Sequence, residues 1–212
     1  MAESEALTEL QREVLRLFFA LPESAGFLLT GGAALLATGL SERPSADVDL
    51  FSSELAAGVG PAVDAFVAAC QRPGWNVVVI RDAATFCRLH VSAPIGEVLV
   101  DFAVDSPPTG PPFVTSLAPT YPLGELAARK ALALFDRAAA RDFADLLSLS
   151  RHFDVDAILT DAADLDPGFD RAVFAQMLDT IERFTDDELR ATSADSGELR
   201  QFTAALARRL RA

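Results

Sequence analysis

Cysteine, histidine and positive charge are all scarce in this 212-residue sequence. Cys70 and Cys87 are too few for a disulfide framework and lack metal-ligand spacing, so they read as two buried thiols of a reducing, cytoplasmic compartment. His90 and His152 have no Cys, His or carboxylate partner at ligand spacing, which leaves no histidine cluster for a metal-dependent hydrolase. With 18 Lys and Arg against 31 Asp and Glu, the formal net charge is -13. That balance opposes sequence-independent binding of nucleic acid, which depends on basic residues neutralising phosphates, so any polynucleotide would have to meet a local basic patch. No run of about 18 apolar residues is present, which argues against a membrane span. The acidic start has no basic stretch before its apolar residues, as a signal peptide would. There is no internal repeat.

What is present is globular: half of the residues are hydrophobic and charges are at an ordinary level. Leu7, Leu10, Val14, Leu17 and Phe18 recur at helical spacing and predict a packing helix that ends near Pro22. Phe27 to Thr30 reads as a short buried strand, Gly31-Gly32 as the break that turns it into a helix from Ala33 to Gly39, and Val48, Leu50 and Phe51 as the next strand. A helix over Gly60 to Gln71 stops at Pro73-Gly74. Strands over Trp75 to Ile80, Thr85 to Ser92 and Glu97 to Val104 follow, with short connections that suggest an antiparallel or mixed sheet. Trp75 and Phe86 read as core residues.

Ser106 to Pro122 holds six prolines and almost no periodicity, which marks it as a linker. The pattern beyond it is helical: Leu123 to about Phe153 as one long helix or a broken pair, then Asp170 to Phe184 and Gly197 to Arg211. The acidic run from Asp154 to Asp170 reads as a solvated loop-helix surface. The division expected is therefore an α/β domain over residues 1–105, a linker over 106–122 and a helical domain over 123–212, an α+β protein.

The chemistry concentrates around Gly31-Gly32 and Asp47-Val48-Asp49. Residues i and i+2 of a strand share a face, so Asp47 and Asp49 present two carboxylates side by side while Val48 and Leu50 point into the core. Like charges so close are usually neutralised by an oxygen-preferring divalent cation. Asp101, on the face of its strand shared with Leu99 and Ala103, is a third acid in an apolar surround. Three carboxylates at one end of a sheet can hold two Mg2+ ions. Backbone N–H groups of a glycine turn that opens a helix suit a triphosphate. On a continuous helix from Leu126 to Leu149, Lys130, Arg137 and Arg141 would form one narrow stripe with Asp145 beside it, opposite Ala128, Leu132, Phe135, Ala139, Phe143 and Leu146, with Asp142 between the two sides.

The order Gly-Gly, small helix, Arg-x-Ser-x-Asp-x-Asp-Leu-Phe, then an acidic Val-Asp-Phe strand, then Pro-Leu-x-x-Leu-Ala-x-x-Lys-x-x-Ala-Leu-x-x-Arg-x-x-x-Arg-Asp-x-x-Asp-Leu resembles the AbiEii/AbiGii toxin family of nucleotidyltransferases, MenT-like toxins included. The matching residues are Gly31, Gly32, Arg43, Ser45, Asp47, Asp49, Leu50, Phe51, Asp101, Lys130, Arg137, Arg141, Asp142 and Asp145, over roughly Phe27 to Leu149. The resemblance implies a polymerase-β-like nucleotidyltransferase core followed by a helical domain. It implies that Asp47 and Asp49 bind Mg2+, that Lys130 contacts the nucleotide phosphates, and that Asp142 or Asp145 is a further acid at the mouth of the site. It also implies an NTP substrate, a tRNA 3' end as acceptor and a cognate antitoxin as partner. Ala33 departs from the family, which has Ser or Thr after the two glycines, so Thr30 or backbone N–H groups would have to replace that hydroxyl.

From the residues themselves, Asp101 would complete the metal site or serve as general base, with Lys130, Arg137, Arg141 and Arg43 as the cationic side of nucleotide binding. Competing readings are a nucleotidyltransferase for small molecules of the antibiotic type, a catalytically reduced nucleotide-binding or interaction module motivated by Ala33, and, last, a metal-dependent phosphoryl hydrolase.

Overall fold

The structure is a computed structural model that describes residues 7–71 and 73–212. The acidic start of the chain lies outside the described residues apart from Leu7. Two compact units emerge: one of the described residues up to Gly39 with Pro44–Pro122, the other of Leu40–Arg43 with Leu123–Ala212.

The first unit is built on a mixed seven-stranded sheet, from β1 (Phe27–Thr30), β2 (Asp47–Ser52), β3 (Asn76–Ala83), β4 (Phe86–Ala93), β5 (Gly96–Val104), β6 (Phe113–Val114) and β7 (Pro119–Thr120), in the order β3-β4-β5-β2-β1-β7-β6. β2 runs antiparallel to β1 and parallel to β5, and β5 antiparallel to β4. The alternation in β2, β4 and β5 is strict enough to fix which face is which. Val48 and Leu50, Cys87, Leu89 and Val91, and Val98, Val100 and Phe102 are buried on one side.

Helices α1 (Glu9–Phe19), α2 (Gly31–Thr38) and α3 (Gly60–Cys70) belong to this unit. Thr8 and Gln11 form a reciprocal capping box at the start of α1. Phe18 of α1 is fully buried, with its ring 5.3 Å from Phe27, 6.1 Å from Phe66 and 5.3 Å from Phe102, all edge-on. One side chain thus ties α1 to β1, α3 and β5. Phe18→Ala is expected to cost about 3–5 kcal/mol through lost burial and the cavity left behind, read as a lower denaturation midpoint. A loss below about 1 kcal/mol would be that of an ordinary surface change.

Both cysteines are buried and free. Burial pushes the Cys70 thiol up to about 11, as expected for an inert core thiol.

The proline-rich stretch departs from expectation. Residues 106–122 belong to the first unit, and β6 and β7 within them extend its sheet, with Leu29 in register with Thr120. Prolines permit this because the added strands are only two residues long and lie at the sheet's end.

The second unit carries α4 (Leu123–Arg137), α5 (Ala140–Leu149), α6 (Val155–Leu165), α7 (Arg171–Asp179), α8 (Asp186–Arg190) and α9 (Ser196–Leu210). The segment from Leu123 to Phe153 is a broken pair. Ala138, buried with φ +42, interrupts it, and α5 restarts after the extended Ala139. The acidic run from Asp154 to Asp170 is a loop-helix stretch that contains α6, with Asp154, Asp156, Asp161, Asp164 and Asp170 exposed. Asp154 and Asp170 accept hydrogen bonds from the N–H groups of Asp156 and Val173 and so cap α6 and α7. Asp195 does the same for α9. Among the described residues, no helix is long and apolar enough to cross a membrane.

Candidate active site

In the first unit, register gathers the carboxylates. Asp49 on β2 lies opposite Asp101 on β5 and opposite Thr30 on β1, and Asp101 lies opposite Arg88 on β4. Residues in register share a face, so Arg88, Asp101, Asp49 and Thr30 form one row across four strands, on the side away from Val48, Leu50, Val100 and Phe102. Asp47, two residues before Asp49, stands on the same face. Asp47 and Asp49 are half-buried, whereas Asp101 is only 4% exposed.

Each acid is held differently. The Ser45 hydroxyl donates to Asp47 Oδ1 at 2.9 Å, and the buried Gln11 amide donates to the Ser45 carbonyl at 2.7 Å. The capping residue of α1 therefore also fixes the loop that positions Asp47. Asp49 lies directly against Gly31, where an added Cβ would sit 1.7 Å from Asp49 Oδ2, and Gly31 has φ +67. Both the backbone conformation and the space demand glycine there. Gly32 is the next residue of α2 and is buried.

Asp101 accepts both arms of the Arg88 guanidinium, Nε to Oδ1 at 2.7 Å and Nη2 to Oδ2 at 2.5 Å. The hydrogen bonding to Asp101 holds Arg88 above its ordinary value. Burial opposes this, and the charges of Asp101, Asp47 and Asp49 add to it. Sequence reasoning missed Arg88. The alternation Phe86, Arg88, His90 against Cys87, Leu89, Val91 places it on the polar face, but only the register with β5 sets it against Asp101. Phe86, read as core, is half-exposed on that same face, with the Arg81 and Arg88 guanidinium carbons 5.2 and 5.8 Å from its ring centre. His90 pairs with Glu97 at 3.2 Å.

The donors suit a hard cation: oxygen only, with two adjacent half-buried carboxylates and a third across the register. Among the described residues, however, no three His, Cys, Asp or Glu side chains are gathered as a metal-binding group. Asp101 is engaged by Arg88, so the donor chemistry that suits a hard cation rests with Asp47 and Asp49.

In the second unit, Asp145 is fully buried and binds two cations. Arg43 Nε and Nη2 reach Oδ1 and Oδ2 at 2.8 and 3.2 Å, and Lys130 Nζ reaches Oδ2 at 2.9 Å. Burial alone would raise the Asp145 carboxyl. The Lys130 charge and the Arg43 hydrogen bonds outweigh it, and the carboxyl is held below its ordinary value. With both partners charged, the trio carries one net positive charge.

Asp142 is a joint rather than an acid at the mouth of a site. Its carboxylate accepts from the Ala139 N–H at 3.0 Å and from Arg137 Nε and Nη2 at 3.0 and 2.9 Å, closing the corner between α4 and α5. The cationic stripe read on a continuous helix is corrected here. The break at Ala138 stops the 100° progression, so Lys130 is buried on α4, Arg137 is bound at the corner, and Arg141 is exposed on α5.

Among solved structures, the chain is similar to a proposed nucleotidyltransferase from H. pylori, with 18% identity, TM-score 0.60 and 95% of this chain and 96% of that one covered. It is also similar to JHP933 from Helicobacter pylori, with 18% identity, TM-score 0.58 and 96% and 93% covered. MenT4, a nucleotidyltransferase toxin from Mycobacterium tuberculosis H37Rv, aligns at 17% identity and TM-score 0.50 over 96% and 91%. At such identities the likeness is one of fold. No curated protein sequence matches the chain. The sequence profile described as nucleotidyl transferase AbiEii toxin, type IV toxin–antitoxin system, matches residues 14–211. That span takes in the carboxylate row of the first unit as well as the Lys130–Asp145–Arg43 trio of the second, and the chain belongs to this family of nucleotidyltransferase toxins.

Proposed function

We propose that the protein moves a nucleoside monophosphate from an NTP to a hydroxyl acceptor, on a polymerase-β-like core followed by a helical domain. It would act in the cytoplasm as the toxin partnered by a cognate antitoxin. The observation that carries this reading is Asp49, on one strand face with Asp47 and in register with Asp101, beside a glycine at which Asp49 leaves no room for a side chain. In the reaction the acceptor oxygen bonds to the α-phosphorus as the bond to the β-phosphate bridging oxygen breaks, and pyrophosphate leaves. Asp47 and Asp49 would hold Mg2+, which lowers the charge on the phosphates and supports the leaving pyrophosphate when bound. Asp101 would add a ligand or take the acceptor's proton. The N–H groups of Gly31 and Gly32 suit the phosphates. In the second unit, Lys130 and Arg43 are the candidates for triphosphate contact, with Asp145 holding both in place.

Ala33 does not favour the catalytically reduced reading. It is fully buried, while Thr30 stands in register with Asp49 and is our candidate for the hydroxyl. The test is incubation with each labelled NTP, Mg2+ and either total tRNA or small hydroxyl acceptors. Label on tRNA 3' ends supports the proposed acceptor, and label on small molecules alone would replace it. No transfer to any acceptor would remove the reading. Thr30→Val should reduce transfer by roughly tenfold, the loss of one hydrogen bond to a charged group.

A further inference from the structure

Arg88 has the chemistry of a counter-ion competing for the third carboxylate. Its forked guanidinium takes both oxygens of Asp101, and such bidentate charge-assisted bonds are among the strongest a side chain forms. Asp101 is nearly buried, so an unpaired charge there is costly, and something must neutralise it. A cation bound by Asp47 and Asp49 would be the alternative neutraliser, because Asp101 is directly in register with Asp49.

The arginine is also placed to let go. Its side chain is 39% exposed, and the Phe86 ring offers a second surface 5.8 Å from the guanidinium carbon. Arg81, directly opposite on β3 and close to the same ring, repels it, so the bond to Asp101 is opposed by a like charge across the strand pair.

We propose that Arg88 is a positioning residue that holds Asp101 in an internal ion pair, and that a divalent cation must displace this guanidinium to recruit Asp101. The released guanidinium stays on the face that carries the carboxylates, where it can meet an anionic group of a bound substrate. This rests on Asp47 and Asp49 binding the cation, as proposed above.

The test is Mn2+ binding, followed by electron paramagnetic resonance of the free ion, on the full chain and its Arg88→Met, Arg88→Lys, Asp47→Asn and Asp101→Asn variants. Arg88→Met should tighten Mn2+ binding on the order of tenfold, because a competing unit charge is removed from a partly exposed site. It should also enlarge the rise in melting temperature that Mn2+ produces, since the ion then relieves Asp101. Arg88→Lys, which keeps the charge and loses the fork, should tighten binding by a few-fold; it decides the matter if Arg88→Met does not fold. Combining Asp101→Asn with either variant should abolish the gain. If Mn2+ binding needs Asp47 but is unchanged or weaker in the Arg88 variants, the counter-ion role is overturned and the metal assignment stands. If Asp47→Asn leaves Mn2+ binding unchanged, the metal assignment fails and takes this proposal with it.

Discussion

Asp49→Asn should lower nucleotide transfer by roughly a thousandfold or more, while the protein keeps its fold. Asp49 sits on β2 between Val48 and Leu50, which are fully buried and anchor the strand, so its carboxylate can change without disturbing the core. Asparagine has nearly the same shape and fits against Gly31, but it carries no charge for a divalent cation. Losing a cation that stabilises the transferring phosphate removes several kcal/mol from the transition state, and about 4 kcal/mol corresponds to the thousandfold expected. The measurement is initial-rate incorporation of labelled NMP, with circular dichroism to show that the variant is folded. A folded variant that retains a tenth of the parental rate would exclude Asp49 from the chemistry. Gly31→Ala should fail for the complementary reason. Its Cβ would overlap Asp49 Oδ2, and φ +67 is strained for alanine, so the carboxylate must move.

Asp145→Asn should instead act on stability. Two cations, Arg43 and Lys130, meet on this one buried carboxylate. Removing its charge leaves them facing each other out of water, and breaking a buried pair this way costs about 3–5 kcal/mol. The same group gives a pH dependence whose sign can be worked out. The folded carboxyl is held below its ordinary value: burial would raise it, but Lys130 and Arg43 outweigh burial. Its contribution is therefore fully present above the unfolded value of about 3.9 and is lost as pH falls through that value toward the lower folded one. Denaturant titrations between neutral and acid pH should show the parent losing more stability than Asp145→Asn as the carboxylate protonates. Equal acid slopes in the two proteins would rule out this account of Asp145.

The carboxylate row was legible because it depends on a short-range rule. Period-two alternation in Asp47-Val48-Asp49-Leu50 settles which side chains share a face, and Asp101 in an apolar strand is too costly to bury without a partner. The partner itself was not legible. Arg88 finds Asp101 through strand register, which is fixed by the packing of Cys87, Leu89, Val91, Val100 and Phe102 on the far side of the sheet. The second unit shows the limit more sharply. A continuous helical period put Lys130, Arg137 and Arg141 on one stripe, and the single positive φ at Ala138 undid it. Asp142 then became the corner that binds Arg137 and the Ala139 amide. Two aspartates three residues apart thus have different surroundings, one closing a joint and the other gathering Arg43 and Lys130.

The sequence by itself determined the mixed α/β character, the strand carrying Asp47 and Asp49, the glycine break between β1 and the helix that follows, and the resemblance to a nucleotidyltransferase family. Each of these follows from local spacing, turn chemistry or the cost of burying charge. Tertiary structure alone decided that Asp101 faces Asp49, that Arg88 holds Asp101, that residues 106–122 join the sheet and that Lys130 is buried with Asp145. Those outcomes depend on which distant segments pack together, and the pairing energy of a buried charge exists only once its partner has been brought to it.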